Sequence, residues 1–358
     1  MPLIGWIHRW TGGVIGLLLA LLGATGSLLL WKEEYLRLTL AGIDTGPPLG
    51  AANYAAVTDA MIASAPGTPR NIIFAHDGFG FHSLSDTESG GFYADYSGKY
   101  IAGWNLPWDR PETFVFDLHH HLLIGETGEL VTGITGLVGI AFVVTGLILW
   151  WRTRKTFRLR VWPARMTRSA IVRQHRDLGV VVAPLLFLTM LTGVMMTLRP
   201  VANIILAPLS SVDEMKAATA PPLVSAGRSA KIDWERIYRV AEKRFPDAEL
   251  RISSLPRKPG ELVTLRMKQP SEWLPNGRTL LWFDPATSQL IDARDANEHP
   301  IGLKAFNLAY PLHAAKVGGW AYKVLQTITG LALTLLGSLA VWSFWFRGKQ
   351  KSISSNAI

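Results

Sequence analysis

Trp6-Ile7-His8-Arg9-Trp10-Thr11-Gly12 runs into an uncharged apolar stretch, residues 11–31, and its reading decides the fold. A histidine and an arginine stand where a helix of membrane-spanning length begins. The device returns at His175-Arg176-Asp177-Leu178-Gly179, which opens residues 178–198. At a shift of 167 residues, His8, Arg9, Gly12, Val14, Leu18, Leu19, Leu21, Thr25 and Gly26 meet His175, Arg176, Gly179, Val181, Leu185, Leu186, Leu188, Thr192 and Gly193. Leucine coincidences between two apolar helices are common. Those of histidine, arginine, glycine and threonine are not, and the match reads as an internal repeat.

Residues 130–151 and 324–346 complete a set of four stretches, each 21 to 23 residues long and free of Asp, Glu, Lys and Arg. At about 1.5 Å per residue, each crosses a hydrocarbon core of roughly 30 Å. Trp6, Trp10, Trp31, Trp150, Trp151, Trp342 and Trp345 cluster at their ends, where interfacial belts form. The approaches to the second and fourth stretches also match, at a shift of 194. Leu118, His119, Gly125, Ile134, Thr135, Gly136, Leu137 and Trp151 meet Leu312, His313, Gly319, Ile328, Thr329, Gly330, Leu331 and Trp345. The chain therefore reads as two parallel copies of span, outer segment and span, related by a pseudo-twofold axis along the membrane normal.

Charge orients the helices. Residues 152–176 hold nine Arg or Lys and no acid, and the tail adds Arg347, Lys349 and Lys351. With Arg9 and Asp177 that side carries +12, the other −3, which accounts for the net +9. The positive-inside rule places both termini and the loop in the cytoplasm. The basic balance thus reflects topology and calls for no nucleic acid. The absence of cysteine excludes disulfides, thiolate iron–sulfur ligation, covalent c-type haem attachment and a thiol nucleophile. Residues 1–31 have the outline of a signal peptide; their match to an internal span argues that they stay.

Between the spans the chain is polar and broken by Gly and Pro. Alternating runs at residues 71–75, 80–84, 91–95 and 100–104 predict a small antiparallel sheet, preceded by a helix at 53–64. Runs at 250–254, 262–267, 279–283 and 289–294 predict a second sheet after a helix at 233–245. The expected order is a first span in 1–31, a periplasmic α+β module in 32–118, and a histidine-bearing entrance and second span in 119–151. A cytoplasmic loop (152–174), a third span (175–198), a second periplasmic module (199–312), an entrance and fourth span (313–346) and a cytoplasmic tail (347–358) follow. The fold class is a four-helix transmembrane bundle of two parallel repeats with two periplasmic α+β modules.

The repeat fixes four histidines: His8 and His175 near the cytoplasmic face, His119 and His313 near the outer one. His8 and Thr25 lie about 25 Å apart along a helix, so a ligand pair forms on each side separately. Two imidazoles facing across a twofold axis suit the axial positions of haem b, which needs no cysteine. Gly12 and Gly179, one turn after their histidines, clear room for a flat macrocycle. Arg9 and Arg176 stand where propionates need cationic partners. The plainer alternative is that the histidines are interfacial anchors, that Gly and Thr permit close helix packing, and that the arginines only set topology. Zinc or copper on the 119–121 cluster needs more ligands than the repeat supplies. His120 and His121 could assist an assigned ligand or form a solvated turn. Met195 and Met196 could lend a thioether or pack the core. His76, His82 and His299 read as structural or exposed.

The His-Arg-x-x-Gly span openings, the Leu-His-x(6)-Gly entrances and the outer helix-plus-sheet segments resemble the PepSY-associated transmembrane family. Phe283-Asp284-Pro285-Ala286-Thr287-Ser288-Gln289 looks like that module's strand–turn–strand signature, and residues 93–100, with Asp95, Ser97 and Gly98, like a weaker copy. The resemblance implies a bacterial inner-membrane ferric-siderophore reductase with two haems b. It implies His8 and His175 as axial ligands inside, His119 and His313 outside. The electrons would come from a reduced flavin, a flavoprotein or quinol in or beside the lipid bilayer, and pass to a ferric siderophore. No catalytic acid or base is expected. The rivals are a haem-free scaffold that binds or inhibits an envelope peptidase, and an electron-transfer subunit serving a separate periplasmic oxidoreductase.

Overall fold

A computed structural model describes residues 2–40, 49–76, 79–86, 90–224 and 231–346. The expected tail, 347–358, lies outside them. The chain divides into two units, a helical one (Met1–Leu30, Val115–Ala202, Leu312–Ile358) and one built on a sheet (Trp31–Phe114, Asn203–Pro311).

The helical unit holds four helices long and apolar enough to cross a membrane. The first span is Pro2–Leu29, the second Gly125–Trp151, the third Arg168–Thr197 and the fourth Gly319–Trp345. The third begins seven residues before the expected 175, because Ala170, Ile171 and Gln174 form a buried stripe that continues the helix toward its start. Pro184 stays inside it. Neighbouring pairs are one with four, two with three, three with four and one with two, which sets spans one and three on one diagonal and two and four on the other. Small residues let the backbones close up. A Cβ added at Gly23 would come within 2.6 Å of the Gly330 carbonyl oxygen, and one at Gly139 within 2.6 Å of the Met190 sulfur.

Short helices lead into the second and fourth spans: Pro111–His121 and Ala309–His313. Both break in left-handed backbone just after their histidines. Leu122 and Leu123 have φ of 49° and 63°, and Ala315 has 47°. Non-glycine residues rarely take this conformation, and here it turns the chain sharply between each histidine-bearing helix and its span.

The second unit corrects an expectation. All eight strands form within two residues of where alternation predicts them: β1 (Pro69–Ile73), β2 (His82–Asp86), β3 (Gly91–Ala94), β4 (Tyr100–Trp104), β5 (Glu249–Ser254), β6 (Val263–Lys268), β7 (Thr279–Phe283) and β8 (Leu290–Arg294). They do not make two modules at 32–118 and 199–312. They make one antiparallel sheet in the order β4-β3-β2-β1-β5-β6-β7-β8. The join is β1 to β5, with Asn71 opposite Ser254, Ile72 opposite Ser253 and Ile73 opposite Ile252. A free edge on either half would expose unpaired amides and carbonyls, and the halves cover each other's. The core is continuous too: Ile72, Phe74, Leu84 and Phe92 share it with Leu250, Val263, Leu265, Leu281 and Phe283, beneath the helices Ala51–Ala63 and Trp234–Arg244. In its middle the buried Tyr238 hydroxyl bonds Thr58 Oγ1 at 2.8 Å and Ser253 Oγ at 3.0 Å, fastening one half to the other.

Candidate functional site

The four repeat-matched histidines meet in two pairs, one toward each end of the bundle. The His8 and His175 ring centroids lie 6.3 Å apart, with planes at 86°. Those of His119 and His313 lie 6.3 Å apart, with planes at 52°. Two imidazoles holding one metal ion from opposite sides, at about 2 Å per bond, put their centroids roughly 6 to 6.5 Å apart.

Hydrogen bonding fixes which nitrogen is left over. Thr25 Oγ1 donates to the Leu21 carbonyl at 2.8 Å, so toward His119 Nδ1, at 2.9 Å, it accepts. His313 Nδ1 stands 2.9 Å from the Thr189 carbonyl, which only accepts, and 3.3 Å from Thr192 Oγ1. Thr145 Oγ1 donates to the Ala141 carbonyl and accepts from His8 Nδ1 at 2.8 Å. In all three rings Nδ1 carries the proton and Nε2 keeps its lone pair, the tautomer that metal-binding histidines adopt when an outer oxygen orients them. His175 bonds the Leu336 carbonyl. Among the described residues no group of three or more His, Cys, Asp and Glu is placed to hold a metal ion. Among those residue types each pair brings two imidazoles together, the number of axial positions a porphyrin leaves open.

The glycines divide into two kinds. Gly26 and Gly193 back the His119–His313 pair: a Cβ at either would stand 3.0 Å from Cε1 of His119 or His313. Gly12 and Gly179 face open space, with only Phe142 Cζ, 3.9 Å from a Cβ at 12, and nothing within 4 Å of one at 179. Beside the His8–His175 pair, Gly146 turns toward His8, whose Cε1 would lie 3.6 Å from its Cβ. Trp150 stands one turn further along that face. Its buried indole Nε1–H has no hydrogen-bond partner among the described residues, a donor suited to a carboxylate.

Other expected residues are placed differently. Arg176 is engaged by Asp177 Oδ1 at 2.7 Å and by Thr156, through Oγ1 at 2.9 Å and the carbonyl at 3.0 Å. It fastens the preceding loop, the one between spans two and three. Arg9 is exposed at the start of span one. His120 stacks on Phe116 at 4.3 Å, and His121 pairs with Asp117 at 2.8 Å. Met195 is buried in span three. His82 is fully buried in the sheet, accepting from the Ala75 amide and donating to the Tyr96 carbonyl. Thr145 escaped the sequence reading, because its counterpart at the 194 shift is Leu339.

The four long apolar helices, the two matched histidine pairs and the antiparallel sheet define a four-span membrane protein with a sheet-based second unit. Residues 5–347 match the family described as the PepSY-associated TM region, and the chain belongs to that family. No curated protein matches it in sequence comparison.

Proposed function

We propose that the protein binds two haems b, one between His8 and His175 and one between His119 and His313, and carries electrons across the bacterial inner membrane to reduce a ferric siderophore. The reading is carried by two symmetry-related imidazole pairs, each at 6.3 Å between ring centroids. Bound there, haem b supplies one-electron chemistry at each end of the bundle. The chain's own residues hold and tune it. Thr25, Thr145, Thr189 and Thr192 keep Nε2 unprotonated, and apolar Leu19, Leu178, Val182, Leu186 and Leu336 keep water from the bundle core. The donor is a cytoplasmic flavin, flavoprotein or quinol. Reduction releases iron because hard-oxygen chelators hold the softer Fe(II) weakly.

The test is haem stoichiometry on the purified chain. Two haems per chain are expected, with His8→Ala or His175→Ala removing one and His119→Ala or His313→Ala the other. A colourless protein, or haem content unchanged when all four are alanine, refutes the assignment. Rapid reoxidation of the dithionite-reduced protein by ferric siderophore, with no partner present, tests the acceptor.

A further inference from the structure

The histidine sites leave one part of the helical unit unused, the loop between spans two and three. Together with the first turns of span three, from Arg152 to Arg176, it carries nine Arg or Lys and no acid. Its large apolar side chains face outward: Leu159 and Trp162 are each 66% exposed, Val161 59%, Met166 51% and Phe157 39%.

The loop is nonetheless pinned. Buried Asp177 takes an ion pair from Arg160 and lies 3.4 Å from the backbone amide of Arg158. Buried Gln174 donates to the Val161 carbonyl at 3.0 Å. Arg160 is half-buried against Asp177, while Leu159 and Val161 on either side of it are exposed. The anchor also sets their height. Asp177 lies nine residues into the helix that starts at Arg168, about 13 Å from its end. The uncharged run that crosses the membrane opens at Leu178, the next residue. Residues 158–161 therefore run back beside span three to the level where the apolar core begins. At the loop's other end Arg154 stacks on Trp151, 4.4 Å from the ring centroid, the residue closing span two.

We propose that this loop is a lipid-binding surface: Arg158, Arg165 and Arg168 engage the headgroups of anionic phospholipids, while Leu159, Val161 and Trp162 enter the interface of the bilayer that the spans cross. Cationic and apolar side chains alternating at interfacial height suit that environment. A soluble acidic partner would satisfy the charges but would have to reach side chains held at the membrane border.

The chain has no cysteine, so a nitroxide on Leu159→Cys or Trp162→Cys reports one site in the full-length protein. The labelled variants go into bilayers of phosphatidylcholine alone or with phosphatidylglycerol. With the anionic lipid, the label should collide several-fold more with oxygen than with a polar nickel chelate. That preference should fall in phosphatidylcholine alone and on Arg158→Gln/Arg165→Gln/Arg168→Gln in the labelled background. Labels facing water in both bilayers overturn the proposal. So do labels shielded from both reagents, which mean a protein covers the surface, and labels that enter both bilayers equally, which mean the headgroup charge is irrelevant.

Discussion

Gly26→Ala and Gly193→Ala push on His119 and His313 without touching their chemistry. The new methyl would stand 3.0 Å from Cε1 of His119 or His313. Two carbons rest at about 3.5–4.0 Å, so each ring must retreat by about 0.5–1 Å or the helices must part. Retreat strains the contact between Nδ1 and Thr25 Oγ1, now 2.9 Å, and lengthens the span that two Nε2 atoms must bridge. Overpacking of this kind costs about 1–3 kcal/mol, and a disturbed orienting contact weakens metal binding about 10–100-fold; the two estimates agree. Haem titration of the purified apoprotein, followed in the visible region, should show one site weakened by that factor and the other, at His8 and His175, unchanged. Two sites of wild-type affinity with unchanged reduced bands would refute the reasoning, because a methyl cannot share that space with a ligated ring.

Gly179→Ala should behave oppositely: with nothing among the described residues within 4 Å of the new methyl, apoprotein stability should hold within about 0.5 kcal/mol, while, on the proposed haem binding, affinity at the His8–His175 site should fall because the methyl enters the space the macrocycle would take. Thr25→Val removes one of the oxygens that orient His119, leaving the Leu22 carbonyl, and should weaken the His119–His313 site about 10–100-fold, read by the same titration. Asp177→Asn leaves Arg160 and Arg176 facing each other without their anion; it should cost about 3 kcal/mol and speed tryptic cleavage in the loop before span three. His82 gives a pH signature. Burial pushes its imidazole from 6.5 down to about 4, and protonating Nδ1 would also break the bond from the Ala75 amide. The folded state therefore takes up its proton later than the unfolded chain. Its contribution is present above pH 6.5 and is lost as pH falls from 6.5 to about 4, at most about 3 kcal/mol. Denaturant titrations of the wild type and His82→Gln should converge toward the acid end of that window.

The repeat made the four histidines legible, since a position kept in both copies narrows nine histidines to four. It also flagged Thr25, Thr192, Gly26 and Gly193, but not their task, because a residue on the back of an imidazole has no periodic signature of its own. Arg176 was misread for a local reason. The acid beside it, Asp177, lies on the same helix and captures its guanidinium, which neighbours in sequence do not reveal without the loop that shares them. Strand positions were legible from alternation, yet their neighbours were not. Period two tells which face of a strand is buried and is silent on which strand lies alongside, so the seam between β1 and β5 had no trace in either segment.

That seam sets an order of events during synthesis. β1 starts at Pro69 and β5 at Glu249, so 180 residues of translation separate them, about 10 to 35 s at ribosomal speed. Throughout that interval β1 has only β2 to bond, and the helix Ala51–Ala63 lacks the partner that completes its core. Two more membrane helices must also be threaded before the partner emerges. The first half of this chain is made as an unfinished object, and a nascent chain stalled there should be a substrate for quality-control proteases and not a working half.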